Sequence, residues 1–221
     1  MHVAYLVPPD RLDYATGIGR SLDRRLPDEL AETRFSLADD EWPADPGRFD
    51  LVVVTGSETN VSDSAAWFDP LGDVVDEVMA TGTPLVGVCF GHQFLATHLG
   101  GTVDRLHDRR EGVRTIELTD RGRTHPLFDG FDARFESFVY HEDVVIDLPP
   151  DAVELARDGA GLQAFGLEGS PVAGIQFHPE FDDEMARRVR IIDPAVDRRV
   201  AASRAVYANA LRVGQAKPKR E

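Results

Sequence analysis

The sequence predicts an open α/β sheet, mostly parallel and flanked by helices, with a smaller antiparallel extension. Three observations predict it. Up to residue 99, short apolar runs alternate with segments of helical spacing, as in β-α repeats around a parallel sheet. After Gly100 and Gly101 the strand signals follow one another closely, separated by turn residues, which reads as antiparallel pairing on the same core. Between the two regimes lies Pro-Leu-Val-Gly-Val-Cys-Phe-Gly-His-Gln, from Pro84 to Gln93, an apolar run that turns polar at the only cysteine.

The elements follow in order. Residues 3–7 read as a first strand and 8–13 as the loop leaving its carboxyl end. A helix is expected over 17–26. Its Gly17-Ile18-Gly19 lacks the third glycine and the Lys-Ser/Thr ending of a phosphate-binding loop. Residues 33–37 read as a short strand, 38–48 as an acidic, proline-containing loop, and 49–54 as a buried strand. The polar loop 55–60 then lies where ligand crevices form in parallel sheets, at a strand's carboxyl end, and should face Cys89. A helix over 73–80, or one already begun near Trp67, returns the chain to a strand at 84–88. The helix 91–99 follows, ended by Gly100 and Gly101.

Further strands are expected at 102–105, 113–118, 135–139, 162–165 and 172–177. Asp120-Arg121-Gly122, Asp129-Gly130, Asp158-Gly159 and Gly169-Ser170-Pro171 mark turns among them. Residues 182–191 and 193–213 read as surface helices, and 215–221 as a frayed tail. Residues 1–191 thus form the main domain, and 192–221 a C-terminal helix and tail.

The chain of 221 residues suffices for one domain with a substantial core, and leaves little room for a second catalytic one. A net charge of -15 argues against general binding to nucleic acid or an anionic membrane, because either needs a basic face. Lys217 and Lys219 are the only lysines. An acidic, lysine-poor surface points to a halophilic source, whose salt-rich cytoplasm screens self-repulsion beyond ~3 Å at about 1 M ionic strength. One cysteine excludes an internal disulfide and a cysteine-based metal cluster. The N-terminal apolar run is broken early by Pro8, and no later run approaches ~18 residues, so a soluble cytoplasmic protein is expected.

Cys89 falls where a strand turns sharply into a helix, with Gly87 and Gly91 removing the bulk that would block the bend. A lone cysteine in an apolar stretch is ordinarily a small core hydrophobe. This setting is instead that of a nucleophile elbow. The helix N-terminus favours a thiolate, a nearby imidazolium would favour it further, and free backbone amides await an oxyanion. The amides of Gly56 and Ser57, with that of Phe90, are the expected oxyanion donors.

A cysteine nucleophile needs an imidazole, and the imidazole a group that fixes its tautomer. His178 is the first choice among the seven histidines: it follows the apolar strand Gly174-Ile175-Gln176-Phe177 and precedes Pro179 and Glu180. Pro179 holds His178 extended, and Glu180 is close enough to orient the ring. His141, in Tyr140-His141-Glu142-Asp143 just beyond another strand, reads as a substrate-contacting or supporting group. His92 would border the pocket. His141 and Asp143 lack the further spaced ligands of a metal site, and no cofactor is expected.

With Gly87-Val88-Cys89-Phe90-Gly91-His92-Gln93 and Gly174-Ile175-Gln176-Phe177-His178-Pro179-Glu180 in this order, the sequence strongly resembles the class I glutamine amidotransferases. The similarity runs from the first strand through Glu180. The resemblance implies the flavodoxin-like class I glutaminase fold, Cys89 as nucleophile, His178 as general acid/base, Glu180 as its orienting carboxylate, and Gln93 as a residue shaping the substrate pocket. It further implies hydrolysis of the glutamine side-chain amide to glutamate and ammonia through a cysteinyl thioester, with the ammonia passed to a separate synthetase. The pattern departs from the family's amidotransferase of GMP synthesis at one place, where Thr55-Gly56-Ser57-Glu58 replaces Ser-Gly-Gly-Pro. Two alternatives remain: a γ-glutamyl amide hydrolase acting without a partner, and a non-catalytic binding protein on the same scaffold.

Overall fold

A computed structural model of the chain describes residues 1–23, 25, 30–193 and 195–215. Residues 24 and 26 of the first expected helix, and residues 216–221 of the expected tail, lie outside the described residues. Among the described residues, nine strands form one sheet. They are β1 (His2–Val7), β2 (Ala31–Ser36), β3 (Leu51–Val54), β4 (Leu85–Val88), β5 (Thr102–Leu118), β6 (Arg134–Asp147), β7 (Ala152–Asp158), β8 (Gly161–Leu167) and β9 (Val172–Ile175). Their order is β2-β1-β3-β4-β9-β8-β7-β5-β6. The first five pair in parallel, and from β9 onward the pairing is antiparallel. The expected parallel core and antiparallel extension are therefore two arms of one sheet.

Alternation along β1 explains how both faces are covered. Val3 and Tyr5 point into a core shared with Ile18 and Leu22 of α1 (Tyr14–Asp23) and with Val206, Tyr207 and Leu211 of α7 (Ala205–Gln215). Ala4 and Leu6 point the other way, toward Leu71, Val75 and Val78 of α2 (Phe68–Thr81) and Phe90 and Leu95 of α3 (Phe90–His98). Central strands buried on both faces read as continuous apolar runs, which is why Leu51–Val54 and Leu85–Val88 stand out in the sequence. Each large side chain withdrawn from water in this way contributes about 1.5–3 kcal/mol.

Several segments differ from expectation. The first helix begins at Tyr14 because Asp13 caps it, accepting from Thr16 N at 3.2 Å and from the Thr16 hydroxyl at 2.6 Å. The strands expected at 102–105 and 113–118 are one strand, β5, with an irregularity between Arg105 and Arg110. Its intervening charges hide the alternation. The strand expected at 135–139 runs on to Asp147, so Tyr140 to Asp143 lie within β6 rather than beyond a strand. β7 occupies a stretch where the sequence pattern predicts no strand. Asp120-Arg121-Gly122 is a helical turn, α4 (Asp120–Thr124), capped by Thr119.

The C-terminal region differs most. In place of a helix over 182–191 there is the shorter α5 (Asp183–Arg188). The 193–213 stretch divides into α6 (Val196–Arg199) and α7. Far from lying on the surface, α7 buries Val206, Tyr207, Ala208, Asn209, Ala210 and Leu211. Among the described residues, no helix is long and apolar enough to cross a membrane.

Candidate active site

The loops following β1, β3, β4 and β9 leave the same edge of the parallel arm, because these strands run in one direction. β4 and β9 are also direct neighbours, with Val88 paired to Ile175. The next residue on one strand is Cys89, and three positions on along the other is His178. Adjacency in the sheet is what brings together two groups so far apart in the chain.

Cys89 occupies a sharp elbow, with φ 50° and ψ -99°. A non-glycine residue in so sparsely populated a region costs about 1–3 kcal/mol and persists only where its surroundings hold it. Here the Cys89 amide donates to Ile175 O at 2.8 Å, while close helix–strand contact fixes the other side. A Cβ on Gly87 would lie 2.4 Å from backbone atoms of Gly91, and one on Gly91 would lie 2.3 Å from Val54 O. The thiol is nearly buried and points toward Tyr140 O at 3.7 Å.

His178 is fully buried, and its amide donates to Phe138 O at 2.6 Å in an isolated antiparallel bridge with β6. Its Nδ1 donates to Glu180 Oε1 at 2.6 Å. Nε2 is left for Cys89, short of full hydrogen-bond geometry. Burial opposes the imidazolium, but the charges of Cys89 and then Glu180 outweigh it and raise the His178 pKa to about 10. The Tyr14 ring stacks on the imidazole at a centroid distance of 5.2 Å, and Phe181 packs beside it at 5.1 Å. Gly56 leaves the room that this stack needs, since a Cβ there would lie 3.1 Å from His178 Cε1.

The remaining predicted residues surround this centre. Phe90 opens α3, whose first amides have no acceptor within the helix; its ring packs among Trp67, Phe68 and Phe94. The Ser57 hydroxyl donates to Pro9 O at 2.7 Å, tying the loop after β3 to the loop after β1. Gln93 and His141 meet at one carbonyl: Gln93 Nε2 donates to Asp143 O at 2.8 Å, and His141 Nδ1 donates to it at 2.9 Å. Gln93 Nε2 also donates to Gln176 Oε1 at 3.0 Å. That commits both of its donors and leaves Oε1 without a partner among the described residues. Burial, despite the Asp143 bond and aided by nearby His178, lowers the His141 pKa to about 4, so the ring is neutral at pH 7. His92 is enclosed against Phe165 at 5.0 Å, its pKa lowered to about 3 by burial, and does not border the cleft. Among the described residues, no three His, Cys, Asp or Glu side chains converge as a metal site would require.

Three further residues at the centre, Tyr207, Arg204 and Tyr14, carry no motif in the sequence. Tyr207 donates its hydroxyl to Glu180 Oε2 at 2.6 Å. Arg204 donates to Pro179 O at 3.1 Å and to Phe181 O at 2.9 Å. Tyr14 supplies the ring on His178. For Arg204 and Tyr207 the signal is the apolar spacing of Val206, Ala210 and Leu211, which marks a buried face and makes the polar groups beside it candidates for buried partners.

The cleft combines a thiol, an imidazole with a carboxylate on its far nitrogen, and the N-terminal amides of a helix. Such a set can attack a carbonyl and protonate a leaving amine. The family model described as class-I glutamine amidotransferase matches residues 12–191. The chain is 31% identical over 190 residues to a γ-glutamyl-L-1-hydroxyisopropylamide hydrolase of a Pseudomonas species, covering 77% of this chain and 63% of that protein. It is 30% identical over 173 residues to the glutamine-hydrolysing GMP synthase of Thermomicrobium roseum, covering 76% of this chain and 31% of that one. The chain therefore spans less than two thirds of either relative. The crystal structure of a glutamine amidotransferase from Thermotoga maritima shares the fold, with a TM-score of 0.76 at 20% identity over 98% of this chain and 100% of the other. Because the family match takes in the elbow, the His-Pro-Glu segment and most of the sheet between them, this chain belongs to the class-I glutamine amidotransferases.

Proposed function

We propose that the protein hydrolyses the side-chain amide of L-glutamine to glutamate and ammonia, using Cys89 as nucleophile, His178 as general acid and base, and Glu180 as the carboxylate that orients His178. The observation carrying this reading is the buried line from thiol to imidazole to carboxylate at the carboxyl edge of β4 and β9. The Cys89 thiolate attacks the amide carbon, and the carbonyl π electrons move onto oxygen. Amides of Gly56, Ser57 and Phe90 are the donors proposed for that oxyanion. As the tetrahedral adduct collapses, the carbon–nitrogen bond breaks and the His178 imidazolium gives its proton to the departing ammonia. A thioester remains. Water then attacks it, His178 takes the water's proton, and the Cys89 thiolate leaves as glutamate is released. Gln93, through Oε1, and His141 are proposed to shape the substrate pocket. Residues 1–191 are proposed as the catalytic domain, acting in the cytoplasm with the ammonia passed to a separate synthetase.

A second reading keeps the chemistry and changes the amine: the substrate is another γ-glutamyl amide, cleaved without a partner. The match to the γ-glutamyl-L-1-hydroxyisopropylamide hydrolase, which covers more than three quarters of this chain, favours it. Amine release from glutamine and from a series of γ-glutamyl alkylamides, measured with the isolated protein, tests both. Turnover of glutamine that rises with an added synthetase supports the first reading. Efficient turnover of the alkylamides alone supports the second. No turnover of either, even with candidate synthetases, contradicts both.

A further inference from the structure

The residues that finish the Glu180 environment come from outside the family-matched segment. That match ends at residue 191, whereas Arg204 and Tyr207 belong to the chain that follows. Arg204 is 5% exposed, and it brackets Glu180 by binding the carbonyls on either side, Pro179 O and Phe181 O. Its Nη2 also donates to Asp197 Oδ1 at 2.7 Å, connecting this clamp to α6. Tyr207 is fully buried and donates to the one carboxylate oxygen of Glu180 that His178 does not use. Among the described residues, the two oxygens of Glu180 thus have one donor each.

A carboxylate held by a single donor can rotate about its terminal torsion, which is broad and roughly two-fold. A second short bond from a buried phenol removes that freedom. We propose that Tyr207 is a positioning residue of the active site: its hydroxyl locks Glu180 in the rotamer that keeps the His178 imidazole aimed at Cys89. This inference rests on the Cys89–His178–Glu180 reading above. It makes α7 part of the catalytic apparatus rather than a covering helix.

The groups facing this centre come from several elements. They are Cys89 at the elbow, Tyr14 from α1, Tyr5 from β1, His141 from β6, and Arg204 ahead of α7. Removing the Tyr207 hydroxyl leaves one buried carboxylate oxygen without a donor. Glu180 is then free to turn away from His178, which weakens the charge that supports the imidazolium. Forming the thiolate–imidazolium pair then requires a higher pH.

The test is the pH dependence of Cys89 alkylation by iodoacetamide, which does not depend on the identity of the amide substrate. Cys89 is the only cysteine, so the label has one destination. In Tyr207→Phe the midpoint should move up by roughly one pH unit, giving about a tenfold slower reaction on the acid side. In a Glu180→Gln background the same substitution should produce no further shift, because Tyr207 acts through Glu180. A midpoint unchanged from wild type in a folded Tyr207→Phe protein would overturn the proposal, as would an equal shift in the Glu180→Gln background. If Tyr207→Phe does not fold, 3-fluorotyrosine placed at 207, a stronger donor of nearly the same shape, should draw charge from Glu180 and so raise the midpoint without loss of fold; no movement would overturn the proposal instead. Failure of wild type to cleave any γ-glutamyl amide would count against the proposed reaction and leave the alkylation result to judge Tyr207 separately.

Discussion

His178 Nδ1 and Glu180 Oε1 stand 2.6 Å apart, with both side chains fully buried. Withdrawing two such charges from water is costly, and their attraction repays it only where geometry is good and the remaining polar atoms are satisfied. The Tyr207 hydroxyl on Glu180 Oε2 meets that condition on the carboxylate side. The cleft thereby holds a proton on the imidazole that an exposed histidine would lose near neutrality.

The first prediction concerns pH. With the His178 pKa raised to about 10, the imidazolium persists through neutrality, and kcat/KM should fall on the alkaline side only as pH approaches about 10. Glu180→Gln removes a charge that favours the imidazolium, so this limb should move to lower pH, with kcat reduced by about 10²–10⁴-fold. A Glu180→Gln profile that superimposes on that of wild type would contradict the role of the carboxylate.

A second prediction concerns the elbow. Gly91→Ala places a Cβ 2.3 Å from Val54 O and 2.9 Å from Val54 Cβ, so α3 must move away from β3. Stability should fall by about 1–3 kcal/mol, read as a Tm lower by about 2–4 °C for each kcal/mol. Displacing the thiol by even about 1 Å should lower kcat by about 10²-fold. Thermal melts and steady-state rates on the same sample check both, and unchanged values would mean the bend tolerates a side chain.

The third prediction follows from a net charge of -15. Self-repulsion among excess carboxylates destabilises the compact state and is screened by salt. Tm should therefore rise as KCl is increased from about 0.1 M to about 2 M. A flat or falling Tm would count against adaptation to a salt-rich interior.

The parts of the site that are legible in sequence are those where local chemistry and chain direction coincide. Val86 to Gly91 announces a strand, a bend and a helix through apolar residues and glycines, and Phe177 to Glu180 announces a strand end through Pro179 and its neighbours. The structure sets the two at the ends of neighbouring strands, β4 and β9, which local pattern alone does not specify. Tyr140 to Asp143 read as the end of a strand because charged Glu142 and Asp143 break the apolar run. In the fold these residues line a paired strand, where Arg105 bonds the Asp143 carboxylate at 3.1 Å and Arg109 bonds Glu142. Tyr207 lay beyond reach for a different reason: its partner is 27 positions earlier in the chain, and nothing in a helix's own periodicity names what its buried polar group will touch. The many arginines between 187 and 204 suggested a solvated surface there, yet Arg204 lies buried against carbonyls.

The most direct measurement is intact-mass analysis after exposing the protein to a diazoketone analogue of glutamine. One adduct should form, map to Cys89, disappear in Cys89→Ala, and be suppressed by whichever γ-glutamyl amide is the substrate. An adduct on another residue, or labelling of Cys89 that no γ-glutamyl amide suppresses, would contradict a glutamyl thioester at this position.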